Sequence, residues 1–254
     1  MRLRRFVPAA ALILLASCGR YRDFTLPPLA GPPQAITWQW QANPEPVLEP
    51  GEGWEASDVL NPSVIFFSGQ WLNLYSGFDG NTWHTGLALS ADGEKWTKQG
   101  KVISPDPRGW EGNYIAANGS VIAAGRELRY YYQAGSPPRI GMAQSADGKH
   151  WRKYGAPVLE PGPYASWDER GVADPYAVRF GPEFYLFYLG MDRARRQRLG
   201  VAESSDGIVW YKLRANPVLE LGGAGTFDEN GLGEPAVWAS HGYYWMLYVG
   251  RDRG

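Results

Sequence analysis

The chain contains 254 residues, of which 25 are lysine or arginine and 26 are aspartate or glutamate, and aromatic residues make up 14% of it. A charge this close to neutral argues against nucleic acid as a partner. Cys18 is the only cysteine, so an internal disulfide is excluded as well.

The N-terminus has the pattern of a secretion signal. Three arginines among the first five residues precede an apolar stretch at 6–16, which is too short to span a bilayer but suits a signal peptide. The stretch ends in Leu15-Ala16-Ser17-Cys18, which resembles a bacterial lipobox. We therefore predict a lipoprotein signal peptide at 1–18, lipidated on Cys18, and a Pro-rich tether at 19–35. The protein is expected to be lipid-anchored in the bacterial cell envelope, facing the periplasm or the exterior; an ordinary cleaved signal with an incidental cysteine is the alternative.

After the tether, the chain repeats one pattern four times, at intervals of about 55 to 60 residues. Each copy has a Pro-Val-Leu-Glu sequence or its equivalent, then an aromatic residue followed by an acid, then a polar residue that opens an apolar run. The aromatic and acidic pairs are Trp54-Glu55, Trp110-Glu111, Trp167-Asp168 and Phe227-Asp228. The pairs that open the apolar runs are Asn61-Pro62, Asn118-Gly119, Asp174-Pro175 and Glu234-Pro235. A period of this length predicts an array of small sheets.

The segments between these motifs predict antiparallel strands. In the first copy, runs of β-branched, aromatic and aliphatic residues at 63–67, 71–78 and 84–90 are separated by Gly-containing turns, without helical periodicity. A Ser-x-Asp-Gly-x-x-Trp motif closes each of the first three copies, and its Trp is expected to begin a fourth, outer strand. Four strands per repeat predict an all-β fold, a β-propeller of four-stranded antiparallel blades, which hides its strand edges by radial closure.

Function is expected where the four copies differ. In a propeller the first strand of each blade lies beside the central axis, so the residues that open these strands face one funnel. They are Asn61, Asn118, Asp174 and Glu234. Two carboxylates in one cavity can serve as a protonated acid beside an ionised partner, which acid-assisted cleavage of a glycosidic bond requires.

The spacing of Asp174-Pro175 and Glu234-Pro235, about 60 residues apart, in blades that begin Asn61-Pro62-Ser63-Val64, resembles the five-bladed propeller glycosidases. These are the arabinanase and xylosidase group of glycoside hydrolase family 43, the invertase and levanase group of family 32, and the mannoside phosphorylases of family 130. The resemblance runs from about residue 36 to the end of the chain. It implies five blades, glycosidase activity, and an oligosaccharide or polysaccharide substrate. Carried over by position, it implies that Glu234 is the general acid and that Asp174 tunes its pKa.

The first copy departs from the resembled pattern. Asn61 stands where the family has the aspartate that acts as general base, and an amide cannot accept a proton from water. Asp58, from the preceding loop, is one candidate to replace it. Alternatively, phosphate is the nucleophile, as in the mannoside phosphorylases, or the protein is a lipoprotein that binds glycans without cleaving them. The sequence leaves hydrolysis, phosphorolysis and binding open.

Further substrate-binding candidates are Asn118 at the funnel and a set of aromatic residues. Trp54, Trp110 and Trp167 precede the inner strands, where they either stack on sugar rings or hold the loops in place. Trp83 and His84 lie in a hairpin that is expected near the funnel.

No cofactor is predicted. The chain has no zinc-type spacing of His, Cys and carboxylate residues, and an axial calcium, which some propeller glycosidases carry, stays open. The arginine-rich run at 193–198 favours a solvated hairpin tip over a contact with phosphate or an acidic glycan.

The fourth copy stops before its third strand and its Ser-x-Asp-Gly-x-x-Trp motif. We therefore predict a partial propeller domain at 36–254, with about four blades present and exposed strand edges. Residues 36–41, which include Trp38 and Trp40, are expected to form the outer strand that closes the last blade.

Overall fold

The computed structural model describes residues 20–253, so the predicted signal peptide and Cys18 lie outside the described residues. The described range contains one short 3-10 helix, Gly53–Glu55, and no helix of the length and apolar character that crossing a bilayer requires. Its strands are β1 (Tyr21–Arg22), β2 (Asp58–Phe67), β3 (Gln70–Phe78), β4 (Trp83–Ser90), β5 (Thr97–Ile103), β6 (Ala116–Ala124), β7 (Glu127–Ala134), β8 (Arg139–Ser145), β9 (Arg152–Lys153), β10 (Gly171–Phe180), β11 (Glu183–Met191), β12 (Gln197–Ser204), β13 (Tyr211–Leu213), β14 (Gly231–Ser240) and β15 (Tyr243–Arg251).

These strands form blades in chain order. The first blade is β2-β3-β4-β5, the second is β6-β7-β8-β9, the third is β10-β11-β12-β13, and β14-β15 belong to a fourth. Neighbouring strands within each blade are antiparallel. This confirms the prediction of an all-β propeller with four-stranded blades, about four of which are present. Among the described residues, no strand pairing joins the fourth blade to the first.

The first strands of consecutive blades pack beside one another: β2 against β6, β6 against β10, and β10 against β14. Apolar side chains fill the spaces between blades, with one buried cluster between the first and second blades and another between the second and third. This packing lines up the starts of β2, β6, β10 and β14 at the centre of the molecule, as the sequence analysis predicted.

The segment predicted as a tether contacts the third and fourth blades. Its strand β1 pairs in parallel with β13 and thereby adds a fifth strand to the third blade. Further along the segment, the carbonyl of Pro27 accepts a hydrogen bond from the Tyr244 hydroxyl at 2.6 Å. Residues 20–35 therefore lie along the outside of the propeller.

Residues 36–41 do not form the outer strand that the sequence analysis predicted. Instead, Trp38 packs edge-on against Trp238 and Trp245 of the fourth blade, with ring centroids 5.7 and 5.6 Å apart. The segment is thus held against the fourth blade by ring contacts, without a backbone ladder.

An ion pair with a buried acid holds the loop that leads into each of the first three blades. The acid of the aromatic–acid motif pairs with a lysine of the outer strand and accepts a hydrogen bond from a tyrosine of the second strand. These sets are Glu55, Lys98 and Tyr75; Glu111, Lys153 and Tyr132; and Asp168, Lys212 and Tyr188. Each lysine also donates to a backbone carbonyl of the incoming loop, at Glu49, Ser104 and Glu160. In the fourth blade Asp228 accepts the hydrogen bond of Tyr248 at 2.9 Å.

Candidate active site

Four polar residues occupy equivalent bulges in the innermost strands. Asn61, Asn118, Asp174 and Glu234 have φ angles of 53°, 51°, 48° and 49°, in the left-handed region. Each lies where the pairing register of its strand shifts by a bulge. Asn and Asp tolerate this conformation better than other residues with side chains, whereas Glu rarely adopts it. The residue that follows is Pro or Gly, which suits a position without a ladder hydrogen bond.

The bulges aim the four side chains into one cavity of about 210 Å³, which they line together with the residues that follow them. A chain of hydrogen bonds links three of them, since Asn61 Nδ2 donates to Asn118 Oδ1 and Asn118 Nδ2 donates to Asp174 Oδ1 at 2.6 Å. Asp174 Oδ2 in turn accepts the backbone N–H of Glu234 at 3.1 Å. The four positions that vary between the copies are therefore connected through Asp174.

Asp174 and Glu234 differ sharply in environment. Asp174 is buried, and both of its oxygens are engaged by Asn118 and by the backbone of Glu234. Burial raises the pKa of the Asp174 carboxyl, and the charge of Glu234 adds to the increase. The N–H of Glu234, the Arg251 guanidinium and the Asn118 amide lower this pKa. Glu234 is exposed, so its carboxyl is the one that a bound molecule can reach.

Two neighbours of the cavity were missed by the sequence analysis. The Asn118 backbone N–H donates to Ser76 Oγ at 2.9 Å, and its side-chain amide also donates to Gln133 Oε1 at 3.4 Å. These residues lie on the second strands β3 and β7, where the repeated motifs give no signal. Ser76 fixes the backbone of Asn118, and Gln133 orients the side-chain amide that also donates to Asp174.

Six of the candidates lie outside the cavity, namely the three tryptophans of the aromatic–acid motif and three further residues. Asp58 begins β2, and its Oδ1 accepts the N–H of Val59 at 2.8 Å. His84 is buried between Ser104 and Asp79, with Nδ1 3.0 Å from Ser104 Oγ and Nε2 3.5 Å from Asp79 Oδ2. Burial lowers the pKa of His84, and the charge of Lys101 contributes to this shift. The third, Trp83, stacks on Phe78 with ring centroids 4.6 Å apart.

The tryptophans of the aromatic–acid motif pack against blades. A Cβ built on Gly77 or Gly86 would lie 2.3 Å from the Trp54 ring, and one built on Gly190 would lie 2.2 Å from the Trp167 ring. Trp110 packs on the core between the first two blades. Glycines on the second and third strands thus give these rings a flat surface, which favours the loop-holding alternative over stacking on sugars.

Replacing Gly190 with Ala is expected to lower the free energy of unfolding by about 1–3 kcal/mol, because the added methyl group displaces the Trp167 ring. Urea denaturation followed by tryptophan fluorescence measures the change. Gly223→Ala is the matched control, since a Cβ there meets no atom within 4 Å. Equal stability of the two variants would contradict the packing role of Trp167.

Within residues 20–253, no group of three or more His, Cys, Asp or Glu side chains is placed to hold a metal ion.

No protein-family model matches the chain. It is 26% identical over 231 residues to the uncharacterized protein Rv1502 of Mycobacterium tuberculosis, covering 83% of this chain and 73% of that protein. Among solved structures, a family 117 glycoside hydrolase of the marine bacterium Zobellia galactanivorans superposes with a TM-score of 0.62 at 18% identity, over 79% of this chain and 70% of the other. The Bombyx mori family 32 β-fructofuranosidase superposes with a TM-score of 0.64 at 20% identity, over 80% of this chain and 43% of the enzyme.

The fold is that of the β-propeller glycoside hydrolases. A third similar structure, BT0996 in a complex with RGII, has a TM-score of 0.65 at 19% identity and covers 80% of this chain and 68% of that protein. Similarity at this level of identity specifies the fold, whereas chemistry depends on the residues of the cavity.

Proposed function

We propose that the protein cleaves glycosidic bonds of oligosaccharides, with Glu234 as the general acid and Asp174 as the residue that positions it. The supporting observation is the contact between the two residues: buried Asp174 accepts the backbone N–H of exposed Glu234 at 3.1 Å. One carboxyl group is thereby held inside the protein, and the other is presented to the cavity. In glycoside cleavage a carboxylic acid protonates the leaving oxygen as positive charge develops on the sugar ring, and Glu234 is placed for this role.

The proposal has two versions, hydrolysis and phosphorolysis, which differ in whether water or phosphate is the nucleophile. Inverting hydrolysis uses a second carboxylate, about 6.5–9.5 Å from the acid, to activate water. Among the described residues that line the cavity, Asp174 and Glu234 are the only acids. Asn61 presents an amide at the position of the expected base, and Asp58 lies outside the cavity. This composition favours a nucleophile that needs no base, such as inorganic phosphate, and phosphorolysis is therefore the second candidate.

A screen of the full chain on aryl glycosides and oligosaccharides, with and without phosphate, tests both versions. Release of reducing sugar without phosphate supports hydrolysis, and phosphate-dependent formation of a sugar 1-phosphate supports phosphorolysis. If saccharides bind but none is cleaved in either condition, the enzymatic proposal fails and a glycan-binding protein remains.

We also propose that the protein is anchored to the bacterial cell envelope through a lipid on Cys18, on the evidence of the lipobox-like sequence. Cells fed labelled palmitate are expected to label the wild-type protein and to leave Cys18→Ala unlabelled. Equal labelling of the two proteins would contradict the anchor.

A further inference from the structure

A second, larger cleft lies at the same end of the propeller as the cavity. It has a volume of about 960 Å³ and is formed by the β7–β8 and β11–β12 connections and by the loops that enter β10 and β14. In an antiparallel blade, the start of the first strand and the connection from second to third strand lie at the same end. The cleft and the bulges of Asp174 and Glu234 are therefore on one face. Its charged lining residues are Arg170, Arg195, Arg196, Arg251, Arg253, Glu169 and Glu229.

The acids of this cleft are already paired. Glu169 receives two hydrogen bonds from Arg193, at 3.0 and 3.2 Å. Glu229 lies 3.7 Å from Arg253. Arg196, for its part, pairs with Asp192 at 2.7 Å, so its charge is also balanced locally.

Three further arginines line the cleft. Arg170, Arg195 and Arg251 take no part in the ion pairs of Glu169, Glu229 and Asp192. Arg170 and Arg195 are exposed, and Arg251 is oriented by a hydrogen bond of 3.0 Å to Gln197 Oε1. Several guanidinium groups that converge in a concave site are suited to bind oxyanions through paired hydrogen bonds.

Arg251 connects this cleft to the candidate active site. A Cβ built on Gly233 would lie 3.0 Å from an Arg251 guanidinium nitrogen and 2.8 Å from Asp174 Oδ2. Glycine at this position therefore lets Arg251 approach the strand that carries Glu234, the next residue. A molecule held in the arginine-lined cleft is consequently adjacent to the proposed acid.

We propose that this cleft binds an oxyanionic substituent of the saccharide, the carboxylate of a uronic acid residue, through Arg170, Arg195 and Arg251. The inference rests on the proposed function, because it names the substrate class of the same site. It predicts that the protein prefers acidic oligosaccharides to neutral ones of the same shape.

The test compares acidic oligosaccharides with their methyl esters, which keep the shape and remove the charge. Oligogalacturonates, glucuronoxylan fragments and alginate fragments are titrated into the full chain by calorimetry, and inorganic phosphate is titrated separately. We expect at least one acid to bind about tenfold more tightly than its ester at low salt. The Arg170→Gln, Arg195→Gln double variant is expected to lose most of this preference and to bind the ester as the wild type does.

Arg126→Gln is the matched control, because Arg126 is exposed on the β6–β7 hairpin at the opposite end of the blades. Thermal melts establish that all variants are folded. The proposal is overturned if no acid is preferred to its ester, or if the control loses the preference as the double variant does. It is also overturned if phosphate binds in an arginine-dependent manner while no acid is preferred, since the cleft would then hold free phosphate.

This experiment separates the two proposals, because binding requires no turnover. If the protein prefers acids to their esters but cleaves no glycoside, the proposal of an acidic-sugar site is supported and the enzymatic proposal fails. If the protein cleaves neutral glycosides and shows no preference for acids, the enzymatic proposal is supported and the acidic-sugar site is contradicted.

Discussion

Glu234→Gln is expected to lower kcat on a glycoside identified by the screen by roughly two to four orders of magnitude, with little change in KM. Glutamine is nearly isosteric with glutamate, but it carries no acidic proton for the leaving oxygen. Asp174 cannot take over this role, because it is buried and both of its oxygens accept hydrogen bonds. The loss should depend on the leaving group: dinitrophenolate leaves without protonation, so a dinitrophenyl glycoside is expected to lose less activity than a nitrophenyl or sugar substrate.

Initial rates on a series of aryl glycosides measure both effects. Glu94→Gln is the control, since Glu94 is exposed in the loop between β4 and β5, at the opposite end of the strands. Unchanged turnover of Glu234→Gln would remove Glu234 as the acid. An equal loss across all leaving groups would indicate that Glu234 binds substrate without donating a proton.

The strands of the blades could largely be predicted from the sequence, and the first strand shows why the agreement is incomplete. The apolar alternation predicts a strand that begins at residue 63, whereas β2 begins at Asp58. Asn61 interrupts the alternation because the left-handed bulge inserts an unpaired residue into the strand. The pattern that signals a strand therefore starts only after the bulge.

The candidate site was predictable in part, because its four bulge residues recur at equivalent places in the repeats. The chain of hydrogen bonds from Asn61 through Asn118 to Asp174 was not, since it depends on how closely neighbouring blades approach. Arg251 was missed for a related reason. It ends β15 and reaches the site past Gly233, a contact that exists only once the two strands are paired.

The tryptophans and the acids that follow them were harder to interpret. A repeated aromatic residue before an inner strand fits both a sugar platform and a packing role, and only the glycines that face the rings distinguish the two. The acids were recognised as part of the repeat, but their lysine and tyrosine partners lie about 20 to 45 residues away on other strands. Pairing at such separations is fixed by blade packing, which the sequence pattern does not encode locally.

Asp168→Ala is expected to lower the free energy of unfolding by about 3–5 kcal/mol, the largest stability effect that we predict. Asp168 is fully buried at 0% exposure, and its partner Lys212 is 5% exposed. Removal of the carboxylate leaves the Lys212 ammonium in the protein interior without a counter-charge. The Tyr188 hydroxyl also loses an acceptor. Urea denaturation at neutral pH measures the loss.

The pH dependence of the stability loss in Asp168→Ala tests whether the uncompensated charge of Lys212 causes it. Burial lowers the pKa of Lys212, and Asp168 acts in the opposite direction, so in Asp168→Ala the pKa in the folded protein should fall further below its ordinary value. Below that pKa, Lys212 is charged in both the folded and the unfolded states, and the full penalty is present. As the pH rises toward the ordinary lysine pKa, near 10.4, the buried amine is neutral and the penalty disappears. The stability difference from the wild type should therefore shrink between pH 7 and pH 10.

Two further variants separate an uncompensated charge from simple loss of packing. The double variant Asp168→Leu, Lys212→Met removes both charges while it keeps apolar volume, so it is expected to recover most of the lost stability. Asp23→Ala breaks the exposed pair between Asp23 and Arg214 and should change stability by less than about 1 kcal/mol. If the double variant is as unstable as Asp168→Ala, and its stability is independent of pH, the loop depends on the shape of Asp168 and its hydrogen bonds. Recovery in the double variant would instead show that Asp168 stabilises the loop mainly by compensating the charge of buried Lys212.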